Sequence, residues 1–102
     1  MVRFIVEDSG AGSKNLVCNF SGRMDTASCS ECENELFEKV TELKAPVIFD
    51  MQEVDYVSSA FLRICLKLLK TVGTESFSLV NVHPNVKKVF KIAGFDRQIT
   101  IS

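Results

Sequence analysis

The stretch that decides the fold is Val47-Ile48-Phe49-Asp50-Met51, a short apolar run that directly follows a proline. A run of this length, rich in β-branched and aromatic residues and bounded by a turn signal, is typical of a strand buried on both faces. Strands of this kind lie at the centre of sheets that helices cover. The run therefore predicts the central strand of an α/β protein.

A helix and a second strand are predicted downstream of this run. The helix begins at Ser58 or Ser59 and ends at Gly73, and residues 77–82 form the next apolar strand. A right-handed crossover would make the two strands parallel. The helical spacing of three and four is kept by the apolar residues Phe61, Ile64, Cys65, Leu68, Leu69 and Val72.

Upstream, the pattern predicts an antiparallel hairpin and a first helix. Residues 2–7 and 15–21 read as strands, separated by a Gly- and Ser-rich turn at residues 9–13. Asp25 or Thr26 is suited to cap a helix that ends near Lys44. Its apolar positions are Cys29, Cys32, Leu36, Val40 and Leu43.

The last part of the chain predicts a third helix and an optional edge strand. Pro84 suits the first helical turn and Gly94 the end, and residues 98–101 could add a short strand. We expect an inner helix face of Val86, Val89, Phe90 and Ala93. The predicted order is ββαβαβα(β), an α/β fold with a mixed sheet of four to five strands and helices packed on it. Residues 1–102 are read as a single domain.

Composition excludes several classes of function. The chain has 102 residues with 12 basic and 13 acidic side chains, so no global field attracts nucleic acid or an anionic bilayer. Its apolar runs are too short to span a membrane, and no secretion signal is recognisable, which predicts a cytoplasmic location. In that reducing compartment the four cysteines are expected to be free thiols.

Three segments resemble a known family. Phe20-Ser21-Gly22-Arg23-Met24-Asp25 is similar to the strand and Gly-x-x-Asp turn that precede the first helix of STAS domains, the fold of bacterial anti-sigma factor antagonists. Residues 47–56 resemble that family's central strand and loop. Residues 79–95 resemble its closing strand and helix, with Pro84 at the helix start and Gly94 at its end.

The resemblance implies a protein-interaction switch and not an enzyme. Family members bind an anti-sigma factor, often also a serine protein kinase, which phosphorylates the first serine of an Asp-Ser-Ser/Thr-Gly motif. That motif stands here as residues 57–60, so the resemblance assigns phosphorylation to Ser58, with Ser59 as the fallback acceptor. No cofactor, metal or small-molecule substrate is implied. The expected partner-binding residues are Asp25, Asp55, Tyr56, Val57, Ser58, Ser59 and Phe61.

Two alternatives stay open at the level of sequence. Val57 stands where the family has Asp, and Ala60 where it has Gly, which fits a scaffold subunit of a signalling complex that is never phosphorylated. Cys29 and Cys32 form a C-x-x-C pair at a helix start, which in a thioredoxin-like protein would be a redox pair with a lowered thiol pKa. Glu31 between them would instead raise the pKa of both thiols.

Overall fold

The computed structural model describes residues 2–10 and 12–102, apart from the side chain of Ser9. Its elements follow the predicted order, with short 3₁₀ turns after α2 and after α3. They are β1 (Val2–Gly10), β2 (Ser13–Ser21), α1 (Thr26–Leu43), β3 (Val47–Glu53), α2 (Ser59–Val72), β4 (Phe77–Val80), α3 (Pro84–Ile92) and β5 (Thr100–Ile101).

The strands form one mixed sheet in the order β1-β2-β3-β4-β5. β1 and β2 pair antiparallel, whereas β2, β3, β4 and β5 pair parallel with their neighbours. The predicted hairpin, the central position of β3 and the optional edge strand are therefore confirmed. Ala11, inside the predicted hairpin turn, lies outside the described residues.

One face of the sheet is covered by helices and the other is not. In β3, Val47, Phe49 and Met51 are buried, whereas Ile48 and Asp50 between them are only partly buried. The prediction of a strand buried on both faces was wrong, because successive right-handed crossovers all place their helices on the same side. α1, α2 and α3 thus form a single layer, with α2 between the other two.

The core lies between this helix layer and the sheet. Phe20, Phe49 and Phe61 meet there, with ring centroids 4.7 Å apart for Phe20 and Phe49 and 5.3 Å apart for Phe20 and Phe61. Phe90 of α3 packs edge-on against Phe61 at 6.4 Å. Burying aromatic rings of this size supplies a large share of the hydrophobic stabilisation of a small fold.

Two features of the C-terminal half differ from the predictions: the end of β4 and the inner face of α3. β4 ends at Val80 because Asn81 has a φ of +55°, which leaves the extended conformation. α3 buries Val86 and Phe90 as predicted, but Val89 and Ala93 are exposed. A helix of about two and a half turns buries one narrow stripe, and the residues beside that stripe face solvent.

The cysteines belong to the core. All four are buried and free of disulfide bonds. Burial raises the pKa of the Cys18 thiol to about 12, and it raises the pKa of Cys65 well above its ordinary value. Among the described residues, none of the helices combines the length and apolar character that crossing a membrane requires.

Candidate functional site

The starts of α1 and α2 are joined side by side. The backbone N–H of Met24 donates to the carbonyl oxygen of Tyr56 at 3.1 Å, and that of Ser58 donates to the carbonyl oxygen of Met24 at 3.0 Å. Met24 and Val57 form a parallel bridge between these bonds. The pairing of β2 with β3 therefore resumes just before both helices, so their N-termini open onto one surface.

Ser58 is the N-cap residue of α2, with the extended backbone that this position requires. Its hydroxyl accepts no hydrogen bond from the backbone of the first helical turn. It donates instead to the carbonyl oxygen of Met24 at 2.8 Å. The Ser58 side chain is half-buried.

Asp25 caps α1 as predicted. Its Oδ1 accepts a hydrogen bond from the backbone N–H of Ser28 at 2.9 Å. This bond lowers the pKa of the Asp25 carboxyl below its usual value, and the nearby charge of Arg23 lowers it further. The Asp25 carboxylate thus lies at the start of α1, beside the start of α2 where Ser58 is the N-cap residue.

The predicted partner-binding residues separate into a surface set and a core set. Asp55, Tyr56 and Ser59 are exposed, and Asp25 and Ser58 are partly buried. Val57 is 8 % exposed and Phe61 is 0 % exposed, so these two side chains offer a partner no usable surface. Both apolar side chains are part of the hydrophobic core, and this burial disfavours the interface role predicted for them.

Two contacts made by residues outside the predicted set, Arg23 and Asn85, shape this surface. The guanidinium carbon of Arg23 lies 4.1 Å from the centroid of the Tyr56 ring, a cation–π geometry that holds the two loops together. Asn85, at the start of α3, donates its side-chain N–H to the carbonyl oxygen of Asp55 at 2.8 Å. The loop before α2 is therefore fastened on both sides, which fixes the position of Ser58.

Cys29 is buried next to Ser58. Its thiol lies 3.7 Å from the carbonyl oxygen of Met24, the same acceptor that Ser58 uses. Burial raises the pKa of Cys29 and, likewise, that of Cys32. A redox pair of the thioredoxin type needs a thiol pKa lowered from its ordinary value, so the structure argues against that alternative.

The sequence offered no indication of a role for Met24, although this residue lies in the segment 20–25 that resembles the family's strand and turn. The part of Met24 that matters is its backbone carbonyl, and a carbonyl leaves no signature in the residue type. Arg23 could have been found, because a cation beside a Gly-x-x-Asp turn and a tyrosine at the end of the facing loop meet when the two loops run parallel.

Comparison with known proteins gives concordant results. A family model described as the STAS domain matches residues 6–102. The chain is 33% identical over 82 residues to BtrV, a candidate anti-sigma factor antagonist of Bordetella bronchiseptica, covering 78% of this chain and 71% of BtrV.

Solved structures show the same fold. A candidate anti-sigma factor antagonist of Thermotoga maritima superposes with a TM-score of 0.82 at 14% identity, covering 98% of this chain and 84% of the other. The phosphorylated form of SpoIIAA, a Bacillus cell-fate determinant, superposes with a TM-score of 0.67 at 14% identity, covering 98% and 91%. The architecture is therefore that of the anti-sigma factor antagonists.

Proposed function

This chain belongs to the STAS domain family, and on that premise we propose that it is a protein-interaction switch of the anti-sigma factor antagonist type. In this proposal it has no catalytic activity and works in the cytoplasm, where its thiols stay reduced. It binds an anti-sigma factor with serine kinase activity, and phosphorylation of Ser58 ends the interaction. The likeness to BtrV supports the kind of partner.

One observation carries the proposal: the Ser58 hydroxyl is the bridge between two helix starts that share a surface. It lies 2.8 Å from the carbonyl oxygen of Met24, immediately before α2 and beside the capped start of α1. A chemical change at this oxygen acts on both loops together. Asp55, Tyr56 and Ser59, all exposed, surround it and provide the contact area for a partner.

Phosphorylation would reverse the electrostatics of this bridge. A phosphoserine oxygen has no proton to donate to the Met24 carbonyl, and its charge of nearly −2 would be repelled by that oxygen and by the Asp25 carboxylate. The phosphate would therefore turn outward, where the N–H groups of the first turn of α2 stabilise it. It would occupy the space in which the partner sits, so binding is lost without unfolding.

The precedent for such a modification is a structure of the same fold. SpoIIAA has been solved in a phosphorylated form, which establishes that a chain with this architecture remains folded when it carries phosphate. At 14% identity the likeness concerns the fold, so the position of the acceptor in this chain rests on the local motif and geometry. Ser59, which is exposed and next in sequence, is the fallback acceptor.

One specific observation favours the scaffold alternative. Ser58 is half-buried, its hydroxyl is already engaged, and the residue two positions on, Ala60, is 4 % exposed. A kinase would have to break the bond to Met24 before transfer. In a scaffold, the same bond would only hold the docking loops together.

Incubation with a cognate serine kinase and ATP, followed by intact-mass measurement, separates the two functions. The switch predicts the mass of one added phosphate, retained in Ser59→Ala and lost in Ser58→Ala, together with release of the bound anti-sigma factor. Partner binding with no added mass would support the scaffold. Phosphate on Ser59 in the wild-type chain would assign the regulatory phosphorylation to Ser59.

A further inference from the structure

The outer surface of α2 and α3 carries apolar side chains that the fold does not use. Among the described residues, six large apolar side chains are exposed, and three of them are Leu66, Val89 and Ile92. Ile92 is 79% exposed, the highest value of the six. Isolated apolar residues on a surface are ordinary, but three on two neighbouring helices form a patch that needs an explanation.

Helical geometry brings these residues into one strip. Lys67 of α2 lies 3.5 Å from Glu33 and over the ring of Phe37, both on α1, which fixes the side of α2 that faces α1. Residues 62 and 66 lie on the opposite side of α2, toward α3. On α3, Val86 and Phe90 face the core. Because β3, β4 and β5 are parallel and joined by right-handed crossovers, α3 runs antiparallel to the strands, and its right-handed turn places residues 89 and 92 on the flank toward α2. The apolar strip therefore consists of Leu62, Leu66, Val89 and Ile92.

Positive charge borders this strip. Arg63 and Lys70 lie on the outer side of α2, and Lys88 and Lys91 on the outer side of α3, all exposed. Neither helix contains an acidic residue. α1 carries the opposite charge, with five glutamates and one lysine, so the positive surface is local in a chain whose net charge is −1.

We propose that the apolar strip is a docking site for an acidic amphipathic helix of another protein. Such a helix would bury apolar residues, spaced three and four apart, on Leu66, Val89 and Ile92, while its Asp and Glu side chains meet the bordering cations. This site does not depend on phosphorylation of Ser58. It begins beside the exposed Ser59, so one partner could contact both surfaces.

Charge complementarity favours this occupant over two others. An anionic bilayer would be attracted by the bordering cations but repelled by the acidic α1 in the same helix layer, and a chain of net charge −1 offers it no overall attraction. A second copy could offer the glutamates of α1, but among the described residues α1 has no exposed large apolar side chain to fill the strip. A separate acidic helix supplies both the apolar contact and the charge.

Titration with designed peptides, followed by NMR amide shifts of the full chain, tests the proposal. The probe is a helical peptide of about 15 residues, a length that matches α2, with Leu at every third and fourth position and Glu elsewhere. We expect shifts confined to α2 and α3. Ile92→Glu should raise the Kd about tenfold, and Lys88→Glu should raise it several-fold.

Matched controls keep the test specific. Val6→Glu and Lys14→Glu replace an exposed β-branched apolar residue and an exposed lysine of the hairpin in the same way, and they should leave the Kd unchanged. The same peptide with Lys in place of Glu should bind at least tenfold more weakly. The proposal is overturned if the Glu peptide does not bind, if the Lys peptide binds as well, or if shifts map to other elements. It is equally overturned if the strip becomes buried by self-association or by phosphatidylglycerol vesicles.

Discussion

Ser58 is joined to Met24 twice, because its backbone N–H and its hydroxyl both donate to the Met24 carbonyl oxygen, at 3.0 and 2.8 Å. These residues are 34 positions apart and belong to the loops before α2 and α1. A single acceptor thus holds together the starts of two helices. Local stability and the proposed switch therefore depend on the same oxygen atoms.

Removing the Ser58 hydroxyl should weaken the link between the starts of α1 and α2 without breaking it. Ser58→Ala loses the 2.8 Å bond but keeps the backbone bond, so the free energy of unfolding should fall by about 1 kcal/mol. Urea denaturation of both proteins measures the difference. Ser59→Ala is the matched control and should change stability little, because Ser59 is exposed. Equal stability of the Ser58 variant and wild type would contradict the role given to this bond.

The capping carboxylate of Asp25 gives a prediction in pH. Folding lowers the pKa of Asp25, so its contribution to stability is present above the ordinary carboxyl pKa and is lost as pH falls through the folded value. Asp25→Ala should therefore be less stable than wild type near neutral pH, and the gap should narrow below about pH 4. Denaturant titrations at several pH values measure the gap.

Asparagine provides the control for this titration. Asp25→Asn keeps a side-chain oxygen that accepts from Ser28 but cannot ionise. Its stability relative to Asp25→Ala should therefore stay constant across the same pH range. A gap between wild type and Asp25→Ala that did not change with pH would show that the carboxylate charge contributes nothing.

The sequence predicted the architecture better than it predicted the site. The order of elements along the chain, the helix ends and the Asp25 cap follow from apolar periodicity and from Gly, Pro and Asp at element ends, which are local signals. The site depends on which side chains around the loop before α2 point toward the core. The family resemblance assigned Val57 and Phe61 to a partner, yet packing in the core buries both. No local pattern distinguishes a hydroxyl that caps its own helix from one that bonds a distant carbonyl.

Restoring the family's aspartate at position 57 should damage this chain. Val57 is 8 % exposed and belongs to the core, so Val57→Asp would bury a carboxylate without a partner and cost about 2 kcal/mol beyond the loss of the valine side chain. Val57→Ala removes similar apolar volume without charge and is the reference for that difference. A Val57→Asp chain as stable as Val57→Ala would mean that this side chain can turn to solvent.

Phe61 should prove to be a core residue and not a contact residue. It is 0 % exposed and packs against the rings of Phe20, Phe49 and Phe90. Phe61→Ala should lower the free energy of unfolding by about 3–5 kcal/mol. Phe61→Leu, which keeps most of the volume, should cost less stability and leave binding of the proposed anti-sigma factor partner unchanged. Weaker binding by a well-folded Phe61→Leu chain would restore Phe61 to the interface.

The cysteines give the sharpest test against redox chemistry. Burial raises the pKa of Cys18 to about 12 and shifts the pKa values of Cys29, Cys32 and Cys65 upward as well. Since the thiolate is the reactive form, iodoacetamide should alkylate the native chain far more slowly than the urea-unfolded chain at pH 8, as followed by intact mass.

The raised thiol pKa values also affect stability at high pH. The unfolded thiols ionise near pH 9 while the folded ones stay protonated, so the free energy of unfolding should fall as pH rises above that value. A native thiol that reacts rapidly at pH 7, and whose signal disappears in Cys29→Ala, would instead indicate a lowered pKa and return the C-x-x-C pair to consideration.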